Sequence, residues 1–192
     1  QEPWECLISY ICATYKNIPA IKNMILNLSK RFGRKITFNG HHFYTFPKPN
    51  HLAHASLEEI RSCGLGFRAE RVLETSKILD RREFNLEDLR KMDYGKARQK
   101  LLSLPGVGQK VADCVLLFSL DKLEAFPVDI WMKRTVTEFY PSYFEHSFIQ
   151  RVTNKNSITP REYITISSFG REYFGKYAGY AQEYLFSLSR KQ

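Results

Sequence analysis

The chain has 192 residues and carries 29 Lys and Arg against 20 Asp and Glu, a formal net charge of +9. That length supports one or two small domains with a genuine core, and the excess of cations points to a polyanionic partner, nucleic acid first among them. No apolar run reaches the ~18–20 residues that cross a bilayer, no signal peptide opens the chain, and the cysteines (Cys6, Cys12, Cys63, Cys114) are too scattered for a zinc or iron–sulfur site. Their apolar surroundings read as buried free thiols of a reducing compartment.

Most of the sequence reads as helix. Residues 6–15, CLISYICATY, form an apolar helix, and the amphipathic pattern already running at QEPWECL suits a domain cut from a longer protein. Asn17 is a candidate N-cap for a helix with Pro19 in its first turn and Gly33 as its stop. Residues 35–46 alternate weakly around Asn39-Gly40, the signature of a small β-hairpin. Ser56 heads LEEIRSC, which Gly64 ends, and residues 66–79 carry Phe67, Val72, Leu73 and Leu79 at helical spacing. Asn85 caps LEDLRKM. Residues 94–104 and 109–120 are two helices flanking a Leu-Pro-Gly-Val-Gly turn, DKLEAFP is a loop, and Asp129 caps IWMKRTVTEFY. Pro160 opens REYITISSFGREYF, and the last helix runs over about 177–190. With so little strand, the expected class is all-α.

The helix–turn–helix at 94–120 carries a local anomaly. Gly106 and Gly108 allow tight backbone geometry and close approach of a partner, and the following helix start presents free amides suited to a phosphate. Lys110 is the second residue of that helix, where the partial positive charge of the helix N-terminus favours acids. Positive potential and partial burial disfavour an ammonium and so favour an amine nucleophile, able to attack a sugar carbon and form a Schiff base. A solvated lysine that contacts phosphate is the plainer reading of the same residue. Nineteen residues on, Asp129 is an N-cap whose carboxylate can also face the turn, where it would stabilise positive charge developing on a sugar, as in glycoside hydrolysis. The histidines (His41, His42, His51, His54, His146) include an i, i+3 pair in HLAH but no third ligand, and read as solvated or capping groups.

Taken together, LPGVGQKVADC, the PVD aspartate, GLGFRAERV at 64–72, YAGYAQEYLF at 177–186 and the opening QEPWECLISYICA resemble, in order and over nearly the whole chain, the 8-oxoguanine DNA glycosylase/AP lyase family of the helix–hairpin–helix glycosylases. The resemblance implies two helical lobes, about 18–125 and 1–17 plus 126–192, without the N-terminal β-rich domain of larger members. It implies a monomer that acts on double-stranded DNA containing 8-oxoguanine, in the nucleoid of a prokaryote or the nucleus of a eukaryote. Lys110 would be the nucleophile on C1′, with β-elimination to follow, and Asp129 would assist base departure. The nucleotide must leave the stack to be reached. By the same resemblance Cys114 and Phe186 sandwich the flipped base and Gln182 reads its Watson–Crick edge. Phe67 and Arg68 wedge into the duplex and contact the opposite base. Gly106, Gly108, Gln109 and Val111 meet the DNA backbone. No cofactor is required, and the carbonyls of Leu102, Leu104 and Val107 would hold a structural Na⁺ or K⁺.

The sequence departs from the family pattern at four places. Tyr15 and Lys16 replace two asparagines near the opposite cytosine, Ala20 stands where an arginine reads that cytosine, and Trp131 replaces a histidine. A methyl group donates no hydrogen bond, so the expected preference for cytosine is relaxed. Two alternatives remain at this level: oxidised pyrimidine as substrate on the same scaffold, and a catalytically silent damage-binding module. The Gln182–Phe186 pattern favours an oxidised purine, and the joint presence of Lys110 and Asp129 favours an enzyme.

Overall fold

The computed structural model describes residues 1–189. It is helical apart from one two-stranded hairpin, in the order α1 (Pro3–Ala13), α2 (Ile18–Phe32), β1 (Lys35–Phe38), β2 (His41–Tyr44), α3 (Pro49–Ala53), α4 (Leu57–Ile60), α5 (Arg68–Asp80), α6 (Tyr94–Leu102), α7 (Gln109–Ser119), α8 (Ile130–Phe139), α9 (His146–Thr153), α10 (Pro160–Phe174) and α11 (Ala178–Ser189). A π-helical turn, Arg61–Leu65, leads into α5, and a short 3₁₀ segment, Glu87–Lys91, precedes α6.

Caps explain most of the boundaries. The Glu2 carboxylate accepts the amides of Trp4 and Glu5 and Pro3 opens the first turn, so α1 starts three residues earlier than the apolar run suggests. Asn17 accepts the Ala20 amide at 3.0 Å and heads α2 as expected. The Asn39-Gly40 turn has φ of +48° and +75°, the geometry that lets strands pair with their native twist, and it sets Ile36 opposite Phe43 and Phe38 opposite His41. Asn85 accepts the Glu87 amide, but the segment it heads is 3₁₀ rather than α. Helix α9 escapes the sequence reading because it is short and buries only Phe148 and Val152. Its end is secured by Lys133, itself 1% exposed, whose ammonium donates to the carbonyls of Val152 (2.8 Å) and Lys155. Position 190, the expected end of the last helix, lies outside the described residues.

The buried side chains form two clusters. The larger draws on α1, α2, the segments from α3 to α6, and α7, with Leu7, Ile8, Ile11, Leu28, Leu65, Leu101 and Leu116 at its centre. The smaller draws on Phe126, Val128, Met132, Val136, Val152, Tyr163, Ile166 and Ala178. This corrects the expected lobe division at the N-terminus. Residues 1–17 do not group with 126–189, because the apolar face of α1 is buried in the larger cluster beside α7. The border between the two clusters falls between Ala125 and Phe126.

Two consequences can be measured. A β-carbon at Gly170 would lie 2.4 Å from the ring of fully buried Phe126, so Gly170→Ala is expected to cost about 1–3 kcal/mol in urea denaturation. The second concerns Glu162, which forms a capping box with Thr159 and pairs with Lys155 at 2.6 Å and Arg151 at 3.5 Å. Burial alone would raise its carboxyl; Lys155 and the Thr159 amide and hydroxyl hold it down at about 2. The stabilisation is therefore complete above the unfolded carboxyl value and disappears as pH falls from about 4.5 toward 2, on the order of 2–3 kcal/mol in all. Glu162→Gln should flatten that acid limb in denaturation measured across pH.

Candidate active site

Leu101 and Leu104 anchor the end of α6, and Gly106, at φ +80°, turns the chain back with Arg71 packed against its missing side chain. Helix α7 then starts at Gln109 with no side-chain cap from Gly108. Its fifth residue, Asp113, is fully buried and accepts three hydrogen bonds: Tyr94 Oη at 2.8 Å, Arg98 Nε at 2.8 Å and Tyr163 Oη at 2.6 Å. A buried carboxylate needs partners of this kind. Arg98 also donates to the Gln109 side chain, so α6, the start of α7 and α10 are bound together at one point.

Lys110 lies one turn before Asp113, on the cavity side of α7. Its Nζ is 3.3 Å from Asp129 Oδ2. The other Asp129 oxygen accepts the Met132 amide at 2.9 Å, so Asp129 both caps α8 and faces the lysine. The Lys110 side chain is 49% exposed and that of Asp129 22%. The lysine is thus about half covered, and a carboxylate stands beside it.

Two clefts meet at Lys110. One, of about 730 Å³, is lined by Lys110, Asp129, Cys114, Gln182, Phe186 and Trp131, with Lys16 at its edge. The other, of about 700 Å³, runs along Gly106 to Val111 and takes in Tyr15 and Arg71. The first brings Lys110, Cys114, Asp129, Gln182 and Phe186 together from α7, the N-cap of α8 and α11. Gln182 is 5% exposed, and its Oε1 is buried with no hydrogen-bond partner. An orphaned buried acceptor on a cavity wall is costly unless a ligand completes it. Burial pushes the Cys114 thiol well up, so it stays a neutral, soft wall group and not a rival nucleophile. Tyr10, missed by the sequence reading, faces Cys114 with its hydroxyl and stacks on Phe118 with ring centroids 5.9 Å apart. Glu183 was also missed; partial desolvation and the charge of Asp129 push its carboxyl up.

The expected pair at 67–68 differs in exposure. Phe67 is 52% exposed, with the Arg68 guanidinium 4.2 Å from its ring centroid, whereas Arg68 is 2% exposed and its guanidinium donates to the carbonyls of Thr14 and Leu65. This corrects the reading of Arg68 as a side chain presented to a partner: here it ties the end of α1 to the start of α5. The exposed cation of this segment is Arg71, whose guanidinium lies 5.2 Å from the Phe67 ring centroid. Tyr15 is 92% exposed with φ +53°, at the tip that follows α1. Ala20 donates its amide to Asn17 and does not line either cleft, though Pro19 and Ile21 beside it do. Trp131 is 45% exposed at the rim of the larger cleft, with the Arg134 guanidinium 5.4 Å from its ring centroid. The histidines act as local hydrogen-bonding groups: His51 with the Phe32 carbonyl, His54 with that of Asn50, His42 with Thr37 and His146 with Gln150.

The different standing of the two arginines is measurable in the isolated chain. Arg68→Ala leaves buried carbonyls without donors and should cost about 2–3 kcal/mol in urea denaturation. Arg71→Ala should change stability by no more than about 0.5 kcal/mol.

The chain is similar over its length to known DNA repair proteins. The model of the HhH-GPD superfamily base excision DNA repair proteins matches residues 8–143. A probable N-glycosylase/DNA lyase of Methanothermobacter thermautotrophicus is 36% identical over all of this chain and 62% of its own length. The N-glycosylase/DNA lyase of Saccharomyces cerevisiae is 33% identical over 97% of this chain and 55% of its own. Among solved structures, a Clostridium acetobutylicum 8-oxoguanine glycosylase/lyase, in complex with double-stranded DNA containing cytosine opposite 8-oxoguanine, superimposes with a TM-score of 0.86. It shares 34% identity, over all of this chain and 60% of that one. The chain therefore spans roughly half to three-fifths of the length of these relatives. With the family model matched over most of its length, the chain belongs to the HhH-GPD superfamily of base excision DNA repair proteins.

Proposed function

We propose that this chain is the catalytic helical part of a bifunctional DNA glycosylase/AP lyase that removes 8-oxoguanine from double-stranded DNA. The observation that carries the reading is the single cavity in which Lys110 Nζ, 3.3 Å from Asp129, shares walls with Cys114, Gln182 and Phe186. A phosphate-binding lysine has no need of a carboxylate beside it. Attack by the Lys110 amine on C1′ breaks the glycosidic bond; the bonding pair leaves with the base, which takes up a proton. Asp129 stabilises the positive charge that grows on the sugar as the base departs. Nζ gives up a proton and the C1′–O4′ bond breaks, O4′ taking up a proton, so that the sugar ring opens to an imine between Nζ and C1′; loss of a C2′ proton then expels the 3′ phosphate with the C3′–O bonding pair, which nicks the strand.

The superfamily match ends at residue 143, before the helix that carries Gln182 and Phe186, so the choice of base rests on those residues and on the named relatives. An oxidised purine supplies donors on its Watson–Crick edge, and the partnerless Gln182 Oε1 is an acceptor placed to receive one. Phe67, exposed at the edge of α5, is suited to fill the gap left by a flipped nucleotide. Gly106, Gly108, Gln109 and Val111 line the adjoining cleft, where the free amides of α7 suit the backbone. Such an enzyme works as a monomer wherever the cell keeps its DNA, nucleoid or nucleus, and no helix among the described residues is long and apolar enough to cross a membrane.

Amine attack and elimination of this kind need no cofactor. The carbonyls of Leu102, Leu104 and Val107 suit a monovalent cation: Pro105 has no amide to offer Leu102, and Leu104, which accepts the Val107 amide, keeps a second lone pair. A cation held there would add positive charge beside the DNA backbone.

Base release from an 8-oxoguanine:cytosine duplex under single-turnover conditions tests the reading. The intact chain should release base, Lys110→Gln should release none, and Gln182→Ala should be slower by roughly tenfold or more. Release by Lys110→Gln at the rate of the intact chain would contradict the assignment. Because Ala20 offers no donor, excision opposite the four bases should differ by less than about tenfold; a steep cytosine preference would sink that part of the account.

A further inference from the structure

The two groups assigned to the chemistry stand on different elements, yet nothing between Lys110 and Asp129 themselves fixes their separation beyond one exposed contact of 3.3 Å. The buried network behind them does. Asp113 lies one helical turn beyond Lys110. Tyr163 Oη donates to Asp113 Oδ2 at 2.6 Å and accepts the Val128 amide at 3.3 Å, and Val128 immediately precedes Asp129. One hydroxyl thus links the helix that carries the lysine to the backbone that carries the aspartate.

We infer that Tyr163 is a positioning residue for Asp129, holding its carboxylate in register with Lys110 through the Asp113–Tyr163–Val128 link. The inference rests on the glycosylase reading above. The polarity of the link is set by chemistry. A carboxylate only accepts, a backbone amide only donates, and a tyrosine hydroxyl does one of each. Burial and the Asp113 charge push the Tyr163 phenol far up, so the hydroxyl keeps its proton and its orientation at any pH the fold tolerates. Asp113 is held from its other side by Tyr94 and Arg98, so the α7 end of the link does not swing. The Ser167 hydroxyl donates to the Phe126 carbonyl at 3.0 Å, which steadies the loop two residues upstream of Val128. The hydroxyl of Tyr163 is then the buried side-chain link between that loop and α7, behind the exposed Lys110–Asp129 contact.

The experiment separates the step that needs Asp129 from the step that needs only the amine. Excision of 8-oxoguanine and borohydride trapping on an abasic-site duplex are compared for the intact chain, Tyr163→Phe, Asp129→Asn and the double variant, with folding checked by thermal melting. Tyr163→Phe keeps the ring in its packing. It should slow excision roughly tenfold or more, leave abasic-site trapping within about twofold, and add less than about twofold to the loss already caused by Asp129→Asn. A role in stability alone would lower both reactions together and would persist in the Asp129→Asn background; that result, or unchanged excision by Tyr163→Phe, overturns the inference. If Tyr163→Phe melts below the assay temperature, both reactions are repeated below its melting midpoint and must show the same split. An intact chain that traps on neither duplex contradicts the glycosylase reading itself and takes the inference with it.

Discussion

The buried carboxylate of Asp113 is the constraint on which the rest of the molecule depends. It sits between the two hydrophobic clusters without contact with water, and an unpaired charge there would cost several kcal/mol. The three donors that satisfy it come from α6 and α10, so the turn between α6 and α7 cannot open, and α10 cannot shift, without exposing that cost. Hydrophobic packing alone is tolerant of small slides between helices. A hydrogen-bonded charge is not, because its partners must stay within a few tenths of an ångström of their positions. The precision of the site is therefore set by a polar group in an apolar place, one turn behind the lysine.

This arrangement resolves the oddity of Lys110. At the start of α7 a cation is locally unfavourable, and the helix gains nothing from it. The cost is offset across the cavity by Asp129, which is itself held by its capping bond to Met132. The lysine remains half exposed and reachable, while the carboxylate beside it is mostly shielded. The cavity walls complete the division of labour: Cys114 stays a neutral thiol and Gln182 presents an acceptor that the protein leaves unpaired. A site that keeps an unpaired buried acceptor is organised for a ligand and not for its own stability.

Much of the fold was legible because its signals are local. The caps at Asn17, Ser56 and Asp129, the Asn39-Gly40 turn and the Pro-Gly-Val-Gly turn each act through neighbours a few residues away. What failed to show in the sequence depends on distant partners. Arg68 and Arg71 are both arginines on one helix, and no local pattern tells that the first is bound to Thr14, more than fifty residues back, while the second stays in solvent. Tyr163 reads as one aromatic among many in REYITIS until its hydroxyl is seen against Asp113, fifty residues away. The lobe border at 1–17 was misplaced for a related reason. The apolar run of α1 says that it is buried, not against which helices. The motif around Lys110 stood out because it breaks a local rule; Asp113, in the same motif, breaks none.

The central claim is that Lys110 forms a covalent imine with the damaged nucleotide. The direct measurement is sodium borohydride trapping on an 8-oxoguanine:cytosine duplex, with undamaged duplex and Lys110→Gln alongside. The account predicts a covalent protein–DNA adduct with lesion and intact lysine together, and none in either control. An adduct of equal yield with Lys110→Gln would place the nucleophile elsewhere and contradict the account.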